Sequence, residues 1–234
     1  MMNRSPKPPE ALMRLVAQDL KPVKPAPLPL HLALRMTPFA LLVSSLILLA
    51  VGIRGDSGLL GPLVTWGASA AQFTFAIVLV WIAAHEGAPA GRLPRETVYA
   101  ASVAALLVVV AITVSTFVIS PVGGAFRIPG APRLSPWITD LACGIGSTVA
   151  GGILVLFFSW IFRNSLAIRP TVAGALYGAG AGLAINAGWR VACPVSPLRH
   201  ALGAHGTAIV ATVLLGALIG RFLHARRFHS AGAD

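Results

Sequence analysis

The chain has 234 residues, of which 56% are hydrophobic and only 11% charged, against about 25% charged in a soluble globular domain. A net charge of +11 beside a mean hydropathy of +0.80 means that basic and apolar residues are segregated along the chain. That excludes an ordinary soluble enzyme and points to a hydrocarbon solvent. The basic residues follow the ends of apolar runs rather than one face, so they read as topology and not as a nucleic-acid surface.

Met1 to Leu30 stands apart, with prolines at 6, 8, 9, 22, 25, 27 and 29 and basic residues at Arg4, Lys7, Arg14, Lys21 and Lys24. It has no apolar run close to the start and no small-residue cleavage site, so it is expected to be retained rather than removed as a signal peptide. Between Pro9 and Pro22, Leu12, Leu15, Val16 and Leu20 fall at i, i+3, i+4 and i+8, which predicts a short amphipathic helix. A helix of about 12 residues is marginal alone in water. Its stripe needs a partner groove or the membrane interface, and Arg14, Lys21 and Lys24 would suit acidic lipid equally well.

Six apolar stretches follow, at about Leu32 to Ile53, Pro62 to Ala84, Thr97 to Ile119, Trp137 to Phe162, Pro170 to Trp189 and Ala201 to Leu223. Each is about one bilayer long and twice the length of a barrel strand, which predicts an all-α, six-helix membrane bundle. The expected division is a cytoplasmic segment 1–31, a transmembrane domain 32–223 and a cytoplasmic tail 224–234. Arg4, Lys7, Arg14, Lys21, Lys24, Arg35, Arg92, Arg95, Arg163, Arg169, Arg221, Arg226 and Arg227 collect on one side. Arg54, Arg127, Arg133, Arg190 and Arg199 lie on the other, dividing the 18 basic residues 13 to 5. Basic residues stay inside, so both termini are expected in the cytoplasm of a bacterial inner membrane.

The runs are poor in polar side chains, with Gln72, Asn186 and Asp140 the strongest away from their boundaries, and no inverted repeat stands out. Both features disfavour a transporter or channel. Gly174, Gly178 and Gly182 repeat every four residues in the fifth run, and Gly216 and Gly220 do so in the sixth. Such stripes serve either packing within the bundle or a dimer seam, so a homo-oligomer is an open expectation.

Cys143 lies about two turns inside the fourth run and Cys193 just beyond the fifth, so the orientation places both near the outer surface. They can pair if their Cα atoms come within about 4.4–6.8 Å in an oxidising compartment. As unpaired thiols they would be small buried hydrophobes. His200 and His205 flank the start of the sixth run, and Asp140 stands one turn before Cys143. Cys143, Cys193, His200 and His205 are therefore candidate ligands for a soft or borderline metal, although their spacing matches no zinc motif. Read without a metal, His200 is an interfacial residue beside Arg199 and His205 a packed histidine with a hydrogen-bonded neighbour.

Catalytic motifs are missing. There is no Cys-x-x-Cys, and His85-Glu86 opens a His-Glu-x-x-His pattern whose second histidine is replaced by Pro89. No Gly-x-Ser-x-Gly elbow or phosphate loop is present. The chain is expected to have no enzymatic activity and no resident cofactor, a metal ion entering only as a signal. A membrane thiol-redox protein is the remaining alternative beside a transporter.

The leader Asp19-Leu20-Lys21-Pro22-Val23-Lys24-Pro25, the segment Arg169-Pro170-Thr171-Val172-Ala173-Gly174, and Cys193-Pro194 together resemble the NrsF family of integral-membrane anti-sigma factors. The resemblance implies a negative regulator that holds an extracytoplasmic-function sigma factor at the membrane. Sigma contact would then fall on Leu12, Leu15, Val16, Asp19 and Leu20. Cys143 and Cys193 would carry the signal that relieves repression under metal or oxidative stress. The loops and the first three runs match only in hydropathy, and no role is carried onto them. Membrane lipid is a second expected partner; direct nucleic-acid contact is not expected.

Overall fold

Pro29, Pro136 and Pro170 each open a helix, where the missing amide matters little because first-turn N–H groups have no intrahelical acceptor. The structure is a computed structural model that describes residues 9–10, 13–14, 28–86, 93–120, 135–163 and 169–230, with side chains described as far as 225. Among them there is no strand.

Six long helices follow one another. α1 is Pro29–Val51, α2 Ser57–Glu86, α3 Arg95–Ile119, α4 Pro136–Phe162 and α5 Pro170–Ala192. α6 starts at Leu198–His200, passes through a π turn at Ala201–Gly206 and continues as Thr207–Ser230. α1 stops at Gly52, whose φ of 86° is left-handed and open chiefly to glycine. α2 is kinked at Gly61 (φ 71°), ahead of a π turn at Leu63–Gly67. Of the leader, Glu10, Met13 and Arg14 are helical, and the Met13 amide donates to the Pro9 carbonyl at 3.1 Å. Leu12, Leu15, Val16, Asp19 and Leu20 lie outside the described residues.

α5 is the hub and packs on α1, α2, α4 and α6. Gly174, Gly178, Gly180, Gly182 and Gly188 are all buried along it. A Cβ on Gly174 would run into the Gly216 carbonyl, on Gly178 into the Thr212 carbonyl, and on Gly220 into the Pro170 carbonyl. The two glycine stripes thus face each other inside one chain, where small residues let the backbones of α5 and α6 approach closely. Mid-bundle, Gln72 Nε2 donates to Leu183 O at 3.2 Å and Ser44 Oγ to Ala184 O at 3.1 Å, tying α2 and α1 to the hub.

The outer surface is apolar. Leu42, Leu49, Leu106, Leu107, Val149, Leu156, Leu214 and Leu218 are all exposed, which water disfavours and hydrocarbon does not. The hydroxyls of Thr37, Thr74, Thr113 and Ser115 donate to carbonyls one turn back in their own helices, which satisfies them without solvent. Among the described residues, five helices are long and apolar enough to cross a membrane: Pro29–Val51, Ser57–Glu86, Arg95–Ile119, Pro136–Phe162 and Leu198–Ala225. α5, the fifth expected span, has 23 residues but is not among them. It is wrapped by protein and built largely of glycine and alanine, so it lacks the large side chains that a lipid-facing helix needs.

Candidate functional site

Because successive helices reverse direction, one end of the bundle gathers the α1–α2 turn, the C-terminus of α3, the N-terminus of α4, the C-terminus of α5 and the start of α6. Arg54 is the fastener there. It is 4% exposed and grips Asp56 with two hydrogen bonds, Nε to Oδ1 at 2.6 Å and Nη2 to Oδ2 at 2.8 Å. It also donates to Ser196 Oγ at 3.1 Å, Arg190 O at 3.3 Å and Pro194 O at 3.4 Å. Asp56 accepts a further bond from Ser120 Oγ at 2.9 Å. Burial works against the Asp56 charge, but Arg54 and Ser120 outweigh it and hold the carboxyl below its ordinary range. Arg190 donates to Thr116 Oγ1 at 2.7 Å, binding α5 to α3.

This framework fixes the segment after α5. Cys193 ends α5, and its amide donates to Trp189 O at 2.6 Å. Its side chain lies against α4 and α6: the sulfurs of Cys143 and Cys193 are 3.9 Å apart, and both residues are buried. They are free thiols. His200 Nε2 is 3.3 Å from Cys193 Sγ, while His200 Nδ1 is 2.6 Å from Asp140 Oδ1. His205, half-buried, places Nδ1 3.2 Å from Ser147 Oγ and its ring 5.1 Å from that of His200. The hydrogen bond with Cys143 chiefly, against the cost of burial, and His200 and His205 in addition, hold the Cys193 thiol well below its ordinary range.

Cys143, Cys193, His200 and His205 each offer one ligand atom, and these four atoms lie within 4.8 Å of one another. The four candidate ligands are thus brought together by three different elements. Asp140 stands behind His200 rather than among them. His200 is buried, with 1% exposure, not interfacial as its neighbour Arg199 suggests. A cavity of about 90 Å³ abuts Cys193 and His205 and is lined also by Arg54, Thr116, Arg190 and Ser196.

At the opposite end, Glu86 is fully buried and accepts from Arg169 Nη2 at 2.7 Å, joining the end of α2 to the start of α5. Sequence reasoning passed over this pair and over Arg54. The isolated signals were an acid at a helix end and an arginine inside an apolar region, where an unpaired charge is costly.

No curated protein and no solved structure matches the chain. Residues 16–225 match the family described as NrsF, negative regulator of sigma F, a stretch that takes in both cysteines, His200, His205 and the apolar runs of all six helices. The match runs over nearly the whole chain, and the chain therefore belongs to the NrsF family of negative regulators of a sigma factor.

Proposed function

We propose that this chain is a six-span protein of the bacterial inner membrane that sequesters an extracytoplasmic-function sigma factor through its cytoplasmic N-terminal segment and releases it when Cys143 and Cys193 change state. The observation that carries the reading is the pairing of family membership with two buried thiols 3.9 Å apart. The apolar outer surface and the 13 to 5 division of basic residues support a membrane bundle with both termini inside. α5, the fifth in chain order, completes the six spans and is shielded from lipid by its neighbours.

The leader joins α1 at Pro29, and the thiols gather at the opposite end of the bundle, where Arg54, three residues past Val51, grips Pro194 and Ser196 beside Cys193. A helix of 23 residues spans about 35 Å at the usual rise, so the signal crosses the bundle. Transmission then requires two packings that differ in affinity for the sigma factor, since a change felt equally by both states shifts nothing. While held, the sigma factor cannot reach polymerase. The chain acts by binding, without catalysis.

The test is capture of the sigma factor by the full chain and by the Leu15→Asp, Leu20→Asp double variant. Charges placed in an apolar groove cost several kcal/mol unless partnered, about the range for buried polar groups, so the variant should insert in the membrane and fail to capture. Undiminished capture would show that the leader is not the docking segment.

A further inference from the structure

We propose that Cys143, Cys193, His200 and His205 form a Cys2His2 site that takes one divalent ion of the zinc class in tetrahedral geometry. The regulatory consequence drawn below rests on the reading of this cluster as the signal-receiving end of a sigma-factor regulator; the binding itself does not.

Spacing comes first. Around a tetrahedral zinc ion with Zn–S of about 2.3 Å and Zn–N of about 2.0 Å, two sulfurs lie about 3.8 Å apart and a sulfur and a nitrogen about 3.5 Å apart. The Cys143 and Cys193 sulfurs are 3.9 Å apart, and Cys193 Sγ to His200 Nε2 is 3.3 Å. All four ligand atoms fall within 4.8 Å of one another.

The orientation of the histidines is a separate observation. Each has its Nδ1 against an oxygen outside the set, His200 on Asp140 Oδ1 at 2.6 Å and His205 on Ser147 Oγ at 3.2 Å. Metal-bound histidines are held in this way: the outer partner fixes the ring and leaves Nε2 to ligate. Asp140 is thus a positioning residue and not a ligand. Charge fits as well. A divalent cation with two thiolates and two neutral imidazoles is neutral, so the site buries no net charge. Binding releases to solvent whatever protons the two sulfurs and the two ligating imidazole nitrogens still carry, and involves no oxidation. The cavity beside Cys193 and His205 supplies space for the ion to arrive.

A disulfide needs its sulfurs at about 2.05 Å, whereas the ion holds them near their present separation. The metal-bound and oxidised states therefore exclude each other, and an ion in the site shields the thiols from oxidation. The same four residues would then weigh metal supply against oxidant.

The experiment uses the reduced full-length protein in detergent, titrated with Co2+ and competed with Zn2+. The expected result is one Co2+ per chain, with the visible bands of tetrahedral cobalt and a thiolate-to-cobalt band in the near ultraviolet. Cys143→Ser or Cys193→Ser should remove the charge-transfer band or change its intensity and stoichiometry, and His200→Ala or His205→Ala should weaken binding at least tenfold. Asp140→Asn should weaken it about 10–100-fold while leaving the ligand-field spectrum tetrahedral. An octahedral spectrum in the wild type, or His200→Ala and His205→Ala binding with unchanged affinity and spectrum, would overturn the site. The unmutated protein provides an arm free of folding effects: Zn2+ should slow alkylation of Cys143 and Cys193, and unchanged labelling would also overturn it. Loss of Co2+ binding with sigma capture retained removes this site alone, while loss of capture with Co2+ binding retained removes the regulator reading alone.

Discussion

Cys143 and Cys193, fifty positions apart in sequence, bring their sulfurs to 3.9 Å across the interface between α4 and the segment that leaves α5. They are close enough to bond after a small shift and too far apart to be bonded. The bundle holds them there through the grip of Arg54 on Pro194 and Ser196, just beyond Cys193.

If the pair is reversible, thiol labelling after acid quenching and denaturation of the cells should find both cysteines free before oxidant and both blocked after it. Cys143→Ser and Cys193→Ser should then match the double variant, because a linked pair loses its function with either member. Single variants with different, additive effects would mark the two as independent packing residues.

The fit of α5 against α6 gives a stability prediction. Gly178→Val drives a side chain into the Thr212 carbonyl and the Val213 backbone, and overpacking against backbone should cost about 3 kcal/mol. Gly203→Ala meets nothing within 4 Å and should fall within about 0.5 kcal/mol of the parent. Thermal unfolding of the two variants in the same detergent checks both, and equal melting would contradict the contact.

How much of this was legible beforehand differed by element. Helix starts at Pro29, Pro136 and Pro170 lie within a few residues of the hydropathy boundaries, because proline marks a first turn wherever it falls. The closeness of Cys143, Cys193 and His200 was foreshadowed by depth, since alternating helices bring alternate ends to one side. Which residue lies beside which was not legible, because helix rotation is set by packing. Hydropathy could not show that Asp140 backs His200 or that Ser147 backs His205. Nor could it pair Glu86 with Arg169, which lie 83 positions apart. The glycine stripes were visible as stripes, but their partner was not, since one chain and two copies offer the same pattern.

Asp56 gives a pH prediction. Its folded pKa lies below its ordinary value, so its contribution is present above the unfolded carboxyl range and is lost as pH falls through the folded value. Asp56→Asn should cost about 1.5–3 kcal/mol near neutrality, the range for a hydrogen bond to a charged group. The gap to the parent should close as the pH falls below the carboxylate range. Melting curves between neutral and strongly acidic pH test this, and a pH-independent gap would show that the Asp56 charge is not what holds Arg54.

The 13 to 5 division of basic residues predicts a topology. Reporter fusions should place the C-terminus and the connection near Arg92 in the cytoplasm, with Arg199 outside. A C-terminus outside would contradict the six-span arrangement.

On the proposed function, thiol state at one end of the bundle sets sigma-factor affinity at the other. This is measured most directly as the Kd of the cognate sigma factor for the reduced and the oxidised full chain in nanodiscs. Oxidation should weaken binding at least tenfold, a coupling of about 1.4 kcal/mol, and Cys143→Ser should bind alike under both conditions. Equal affinity of the reduced and the fully oxidised wild-type chain would contradict the account.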